Sequence, residues 1–236
     1  MEIRVDGRPL AVLMRTPGRD QELAAGFLYT EAFIEHGEDI AAIRPCKDGE
    51  NILKVALLPG AGAAIRKRLD TEVRHIVAGS SCGVCGKASI DSVRLQAEPL
   101  LDRIQPDPQL LSLLPPRMRA HQKLFDATGG IHAAALFDEQ GQLLRIAEDI
   151  GRHNAVDKLV GSWVLKGHLP PDRCILLVSG RLSFEIVQKA WMAGFSLVVA
   201  VGAASSLAVD LASEAGMSLA WFVGPDRWNL FEPSTQ

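Results

Sequence analysis

Cys174-Ile175-Leu176-Leu177-Val178-Ser179-Gly180-Arg181-Leu182-Ser183-Phe184-Glu185 is the stretch that decides the fold. Its first residues form an unbroken apolar run ending at turn residues, which predicts a strand buried on both faces. Cys174 opens that run and reads as a small buried hydrophobe. A turn follows, then a helix over Ser183 to Ala193. The rhythm continues downstream, with strands at Leu197 to Val201 and Ser218 to Val223 and a helix at Ser205 to Ala215. Upstream, Ile131 to Phe137 and Leu143 to Ile150 read as a strand pair around Asp138-Glu139-Gln140-Gly141. Asn154 to Lys166 reads as an amphipathic helix. Strands alternating with helices predict a mainly parallel sheet covered on both faces.

The N-terminal part has a different pattern. Glu2 to Val5 and Leu10 to Thr16 alternate around Asp6-Gly7, a hairpin signal. Asp20 is placed to cap a helix through Glu22, Leu23, Phe27 and Phe33. A second hairpin, Ile43 to Leu58, turns at Asp48-Gly49, and a short helix is expected over Ala63 to Leu69. Glu98 to Pro116 holds five prolines and reads as a linker with short helical turns. A helix from about Arg117 to Ala127 then leads to Thr128-Gly129-Gly130.

The 236 residues suit one large domain or two small ones. A formal charge of −3 gives no overall pull toward nucleic acid or an anionic membrane, although a local basic cleft could still hold phosphates. The first ten residues carry charges and a turn where a secretory signal would have its apolar region. No apolar run approaches the roughly 18 residues a membrane span needs. A soluble cytoplasmic protein is expected.

Of four cysteines, only Cys82 and Cys85 form a constellation, in Gly79-Ser80-Ser81-Cys82-Gly83-Val84-Cys85-Gly86-Lys87. Its glycines and serines predict a mobile exposed loop. Structural zinc needs about four ligands, and His75 is the one histidine nearby, so no resident metal is expected. A thioredoxin-like pair would sit between a strand and a helix of a βαβ unit, which this loop does not. A thiol–disulfide enzyme and two incidental loop cysteines stay open beside a third reading, a nucleophilic thiol on an arm. Exposed thiols are an oxidation liability, so two together need a reason. Lys87 and a following helix start would favour the reactive thiolate.

Three segments fall where α/β sheets bind ligands, at the carboxyl ends of strands. The first runs from Glu148 through Arg152, His153 and Asn154 to Lys158, where backbone N–H groups at a helix start suit an anion. The second is Ser179 to Glu185, with Gly180, Arg181 and Ser183. The third is Phe222-Val223-Gly224-Pro225-Asp226-Arg227. A lone arginine at such a join is usually just solvated. Three Gly- and Arg-bearing loops on one edge instead predict a basic pocket for guanine-nucleotide phosphates. His153 reads equally as a capping or core histidine and as a site residue. His132 is either a satisfied core histidine or faces the cleft.

Together, the cysteine loop, Thr128-Gly129-Gly130-Ile131-His132-Ala133-Ala134-Ala135, the Glu148 to Lys158 segment and Gln188-Lys189-Ala190 resemble the formate dehydrogenase accessory sulfurtransferase family, FdhD. Met14-Arg15-Thr16-Pro17-Gly18, Glu22-Leu23-Ala24-Ala25-Gly26-Phe27-Leu28, Ser205-Ser206-Leu207-Ala208-Val209 and Arg227-Trp228-Asn229-Leu230 fit the same family. The resemblance covers nearly the whole chain. It implies an α/β protein, α+β overall. A small N-terminal α+β domain, 1–105, would end in the cysteine loop and linker. A cytidine-deaminase-like three-layer α/β domain without the zinc site would occupy 106–236.

The resemblance further implies a sulfurtransferase required for formate dehydrogenase activity. Cys82 would take sulfur from a cysteine desulfurase as a persulfide, with Cys85 supporting. The sulfur would pass to bis-molybdopterin guanine dinucleotide before the cofactor enters formate dehydrogenase, and GDP would mimic that ligand. Phe222, Val223, Gly224, Pro225, Asp226 and Arg227 match the family's cofactor-binding stretch. Gly129, His132, Arg152, His153, Asn154, Ser179, Gly180, Arg181 and Ser183 are the further cofactor-binding candidates. A homodimer is implied. A non-catalytic cofactor-binding chaperone is the alternative. Deaminase chemistry is excluded, because it needs H-x-E and P-C-x-x-C. Here the helix start reads His153-Asn154-Ala155 and the next strand ends in Ser179-Gly180-Arg181-Leu182.

Overall fold

Along the strands of the C-terminal half, successive residues bury into two different cores. The computed structural model describes residues 1–46, 49–61, 77–78, 97–225 and 227–233. The expected helix Ala63 to Leu69, the turn residue Asp48, the cysteine loop with Cys82 and Cys85, and Asp226 lie outside the described residues.

Strands β6 (His132–Phe137), β7 (Leu143–Asp149), β8 (Ile175–Val178), β9 (Leu197–Ala200), β10 (Ser218–Trp221) and β11 (Asn229–Phe231) form one sheet in the order β11-β10-β9-β8-β6-β7. Leu136, Leu176, Val178, Val198 and Leu219 face one core, while Phe137, Ile175, Leu177, Val199 and Ala220 face the other. This is the period-two alternation of a strand, applied to a sheet with both faces covered. The sheet is mixed rather than mainly parallel. Only β8–β9 and β9–β10 are parallel; β6–β7, β6–β8 and β10–β11 are antiparallel. The strand–helix alternation governs β8 to β10 alone. At one side the β6–β7 hairpin docks in reverse against β8, and at the other the chain doubles back from β10 into β11.

The N-terminal strands β1 (Glu2–Val5), β2 (Arg8–Leu13), β3 (Ile40–Cys46), β4 (Gly49–Leu57) and β5 (Val77–Ala78) form a second sheet, ordered β3-β4-β1-β2-β5. Both expected hairpins are present, and they join through a parallel β1–β4 pairing. Helix α1 (Asp20–Thr30) lies on this sheet. Asp20 does not cap it. Arg19 holds the cap position in the left-handed region, and Asp20 is the first helical residue, paired with Arg15 at 2.9 Å.

The proline-rich stretch is irregular over 98–107, as a linker would be, but from Pro108 it forms a full helix rather than short turns. Helix α2 (Pro108–Arg119) starts at Asp107, whose carboxylate accepts from Gln109 N at 2.9 Å, with Pro108 at the first position. Leu111, Leu114 and Met118 seal one face of the larger sheet. Pro115 and Pro116 withhold two donors but fall late in the helix. The expected Arg117 to Ala127 helix is therefore divided between the end of α2 and a short α3 (Lys123–Thr128). The opposite face is covered by α4 (Arg152–Val164), α5 (Phe184–Met192) and α6 (Ser206–Ala215).

Helix α4 also packs against α1, so one apolar core runs from Ile3 and Val55 through both helices to Leu176 and Val198. The two helices touch backbone to backbone. A Cβ on Gly26 would stand 1.8 Å from the Asp157 carbonyl oxygen, and one on Gly161 would stand 1.9 Å from that of Glu22. A buried charge network sits beside this crossing. Lys189 Nζ on α5 donates to Thr30 Oγ1, Glu31 Oε1 and Asp157 Oδ1, each at 2.9 Å. Burial disfavours the Lys189 charge, but Asp157 and Glu31 outweigh it and hold the ammonium above its ordinary pKa. Among the described residues no helix is long and apolar enough to cross a membrane.

Candidate functional site

Three parallel strands end at one rim, and β6, running the other way, begins there. A lateral ladder of backbone hydrogen bonds crosses this rim. Phe222 N donates to Gly202 O at 3.1 Å, and Gly202 N to Gly180 O at 3.0 Å. The Gly202 backbone lies so close that a Cβ there would meet Gly180 O at 2.8 Å. Beside Gly180 stand His132 and Arg152. A Cβ built on Gly180 would lie 3.4 Å from both His132 Nδ1 and Arg152 Cδ. Arg181 follows Gly180 and is exposed. His132, Arg152, Gly180 and Arg181 thus form one basic cluster. Burial lowers the His132 pKa, and the Arg152 and Arg181 charges lower it further, so the imidazole stays neutral at physiological pH.

The other end of the rim carries a cleft. Phe222, Arg227, Trp228 and Asn229 line a cavity of about 290 Å3. Phe222 adopts a left-handed backbone with φ 54 and is 44% exposed. Gly224 N donates to Arg227 O at 3.0 Å, which closes the turn between β10 and β11. Val223 is buried beneath it, and Pro225 is exposed. Strand β10 lies two positions from β8 and three from β6, so along the rim the cleft at Phe222 stands about 10 Å from Gly180 and about 14 Å from β6 with His132. Arg227 therefore belongs to the cleft, and Arg152 and Arg181 to the cluster.

Several other candidates hold the protein scaffold together. Ser179 Oγ accepts from Ala133 N at 2.8 Å and extends the β6–β8 pairing. Asn154 is buried, and its amide donates to Met14 O at 2.7 Å and Asp149 Oδ1 at 2.9 Å. Gly129 closes α3 in the left-handed region with φ 70. The Glu148 carboxylate receives Leu124 N and Phe125 N at the start of that helix. At the head of α4, Ile150 N and Gly151 N are taken by Thr16 Oγ1 and Asp149 Oδ1, both at 2.9 Å. The backbone donors expected there for an anion are engaged at these two residues. Thr16, Asp149, Trp228 and Asn229 are not among the individual candidates that the sequence singles out. Their signals are the Met14 to Gly18 motif, the Glu148 to Lys158 segment and the Arg227 to Leu230 motif.

His153 lies behind the cluster, with Nε2 at 3.2 Å from Ser183 Oγ and 3.9 Å from Glu185 Oε2. Burial pushes its pKa down to about 4, and Arg152 and Lys189 act in the same sense. An unfolded histidine titrates near 6.5. Between these values the unfolded chain binds the proton and the folded one does not, so stability is lost as pH falls from about 6.5 toward 4. The loss attributable to His153 is up to about 3 kcal/mol, and His132 adds in the same direction. Urea unfolding at pH 7 and pH 5 should show this drop in the native chain and a visibly smaller one in His153→Gln.

Among the described residues no cluster of His, Cys, Asp and Glu is arranged to hold a metal ion. Cys174 is buried just ahead of β8, and burial pushes its thiol up to about 11, which keeps it inert.

Fold and rim define a two-sheet α/β protein with a basic cluster and an aromatic cleft along one edge of its larger sheet. Residues 1–236 match the FdhD/NarQ family, and the chain belongs to that family. It is 49% identical over 238 residues to a protein of Streptomyces avermitilis named sulfur carrier protein FdhD, covering 98% of this chain and 84% of the relative. A Mycobacterium tuberculosis protein of the same name is 45% identical over 249 residues, covering 98% and 87%. A crystal structure assigned as a formate dehydrogenase accessory protein from Desulfotalea psychrophila superposes with a TM-score of 0.73 at 25% identity, covering 98% of this chain and 85% of the other.

Proposed function

We propose that this chain is a sulfurtransferase that carries sulfur for the maturation of formate dehydrogenase. Family membership and the names of its relatives support the sulfur-carrier role. The observation that carries the ligand assignment is the rim itself. A cationic pair, Arg152 and Arg181, with the neutral His132 beside them, lies at one end, and an aromatic cleft with Arg227 at the other. That pairing suits a purine nucleotide, with the base against Phe222 and Trp228 and the phosphates toward the arginines. Bis-molybdopterin guanine dinucleotide is the proposed ligand, and GDP its simplest probe.

In this reading the Cys82 thiolate attacks the outer sulfur of a persulfide on a cysteine desulfurase. A new S–S bond forms on Cys82, the donor's S–S bond breaks, and the donor cysteine leaves as a thiolate. The carried sulfur would then pass to the molybdenum cofactor as its substrate, the acceptor supplying the electron pair, the Cys82 S–S bond breaking and Cys82 leaving as a thiolate, with Cys85 in support. The proposal includes a homodimer acting in the cytoplasm.

Intact-mass spectrometry after incubation with a cysteine desulfurase and cysteine tests the carrier step. The native chain should gain one sulfur that a thiol reductant removes, and Cys82→Ala should gain none. Cells relying on Cys82→Ala should contain inactive formate dehydrogenase. Full activity with that variant would favour a cofactor chaperone without covalent chemistry.

A further inference from the structure

Thr16 lies in the loop between β2 and α1, on the N-terminal sheet's side of the molecule, yet it bonds mainly to the head of α4. Thr16 Oγ1 accepts from Ile150 N at 2.9 Å. Thr16 N donates to Asp149 Oδ2 at 3.1 Å, and Thr16 O accepts from Lys158 Nζ at 2.9 Å. Asp149 is fully buried, and its Oδ2 pairs with Lys158 Nζ at 2.7 Å. Its Oδ1 takes Gly151 N and the Asn154 amide, each at 2.9 Å. The Asn154 amide also reaches Met14 O. No side chain caps α4 at Gly151. The turn that launches the helix is instead held from outside by one threonine and from beneath by one carboxylate. Arg152 is the first residue after that turn.

We propose that Thr16 is a positioning residue for the anion end of the rim, holding the Ile150–Gly151 turn so that Arg152 stands beside Gly180 and His132. The proposal rests on the reading of the rim as a guanine-nucleotide site. It gives the Met14 to Gly18 motif a task that local structure does not require: a β2–α1 loop needs no bonds to a turn more than 130 residues away. Thr16→Val keeps the shape of the side chain and removes the acceptor for Ile150 N. The freed turn can rotate, and a guanidinium that must meet a phosphate at hydrogen-bond distance loses more from such a shift than the fold does.

Two measurements decide it, both on the full chain. The first is GDP affinity by calorimetry. Thr16→Val should bind about tenfold more weakly than the native chain, and Thr16→Ser, which restores the hydroxyl, should bind like it. In an Arg152→Ala background Thr16→Val should change little, because contacts in one network are non-additive. Equal weakening in both backgrounds would overturn the action through Arg152. The second uses no ligand. His132 is faced by Arg152, Arg181 and Asp149, and its titration by NMR reports where the Arg152 charge lies. Displacing Arg152 should raise the His132 pKa toward its ordinary value in Thr16→Val. An unchanged titration together with unchanged GDP affinity sinks the proposal. If the native chain binds no GDP, the nucleotide reading of the rim falls, and the His132 titration alone judges whether Thr16 holds Arg152 in place.

Discussion

Gly161→Ala should leave little folded protein. Helix propensity alone argues the other way, since alanine is favoured over glycine in a helix interior by about 1 kcal/mol. Here the added methyl would sit 1.9 Å from the Glu22 carbonyl oxygen and 2.6 Å from Gly26 N. Both are backbone atoms inside α1, so no rotamer change relieves the overlap. The helices must separate, and the core they share with both sheets opens with them. Overpacking costs of 1–3 kcal/mol are typical where side chains can yield. With backbone against backbone the expected loss exceeds about 3 kcal/mol, a large part of a domain's total stability. Gly130→Ala is the matched control, since nothing lies within 4 Å of its Cβ. Urea midpoints for the two variants should differ widely, and similar midpoints would refute the close helix crossing.

Lys189→Met is the second large effect expected. The ammonium is 4% exposed on its side chain, and the paired Asp157 carboxylate 2%. Removing the cation takes away the charge that balances the Asp157 and Glu31 carboxylates, while Thr30 Oγ1 still donates to Asp157 at 2.7 Å. Breaking a buried pair from one side costs about 3–5 kcal/mol. The sign of its pH dependence is distinctive. Burial already favours protonation of Asp157, and without Lys189 only the Thr30 hydroxyl, donating to Asp157 Oδ1 at 2.7 Å, still opposes it. A carboxyl whose folded pKa is raised binds more protons folded than unfolded. The variant's deficit is therefore smallest at pH near the ordinary carboxylate value and grows as pH rises through the raised one. Denaturant unfolding of Lys189→Met at pH 5 and pH 8 should show the greater loss at pH 8. Replacing Asp157 by Asn in the same chain should recover part of it.

The apolar strands and the rim loops were legible because their signals are local. Cys174 to Val178 is apolar at every position, and Gly180-Arg181 follows at once. The reversed docking of β6 on β8 was not legible, since strand direction is settled by tertiary contacts rather than by composition. Helix α2 was hidden by its prolines, although Asp107 and Pro108 carried a valid start signal. Gly26 and Gly161 gave no warning, because a helical glycine looks like a mild local cost until the facing helix is known. Asn154 and Ser179 looked like ligand donors for a related reason. Which amide or carbonyl lacks a partner, here Ala133 N and Met14 O, is decided by how distant segments meet.

Helix α4 has a consequence of its own. Ten of its 13 residues, from Asn154 to Val164, are buried. A helix on a protein surface keeps a solvent-facing stripe where substitutions pass unnoticed; α4 has almost none. Random mutagenesis of the gene would therefore find this segment among the least forgiving, even at its polar positions, and tags or insertions are best kept well away from it.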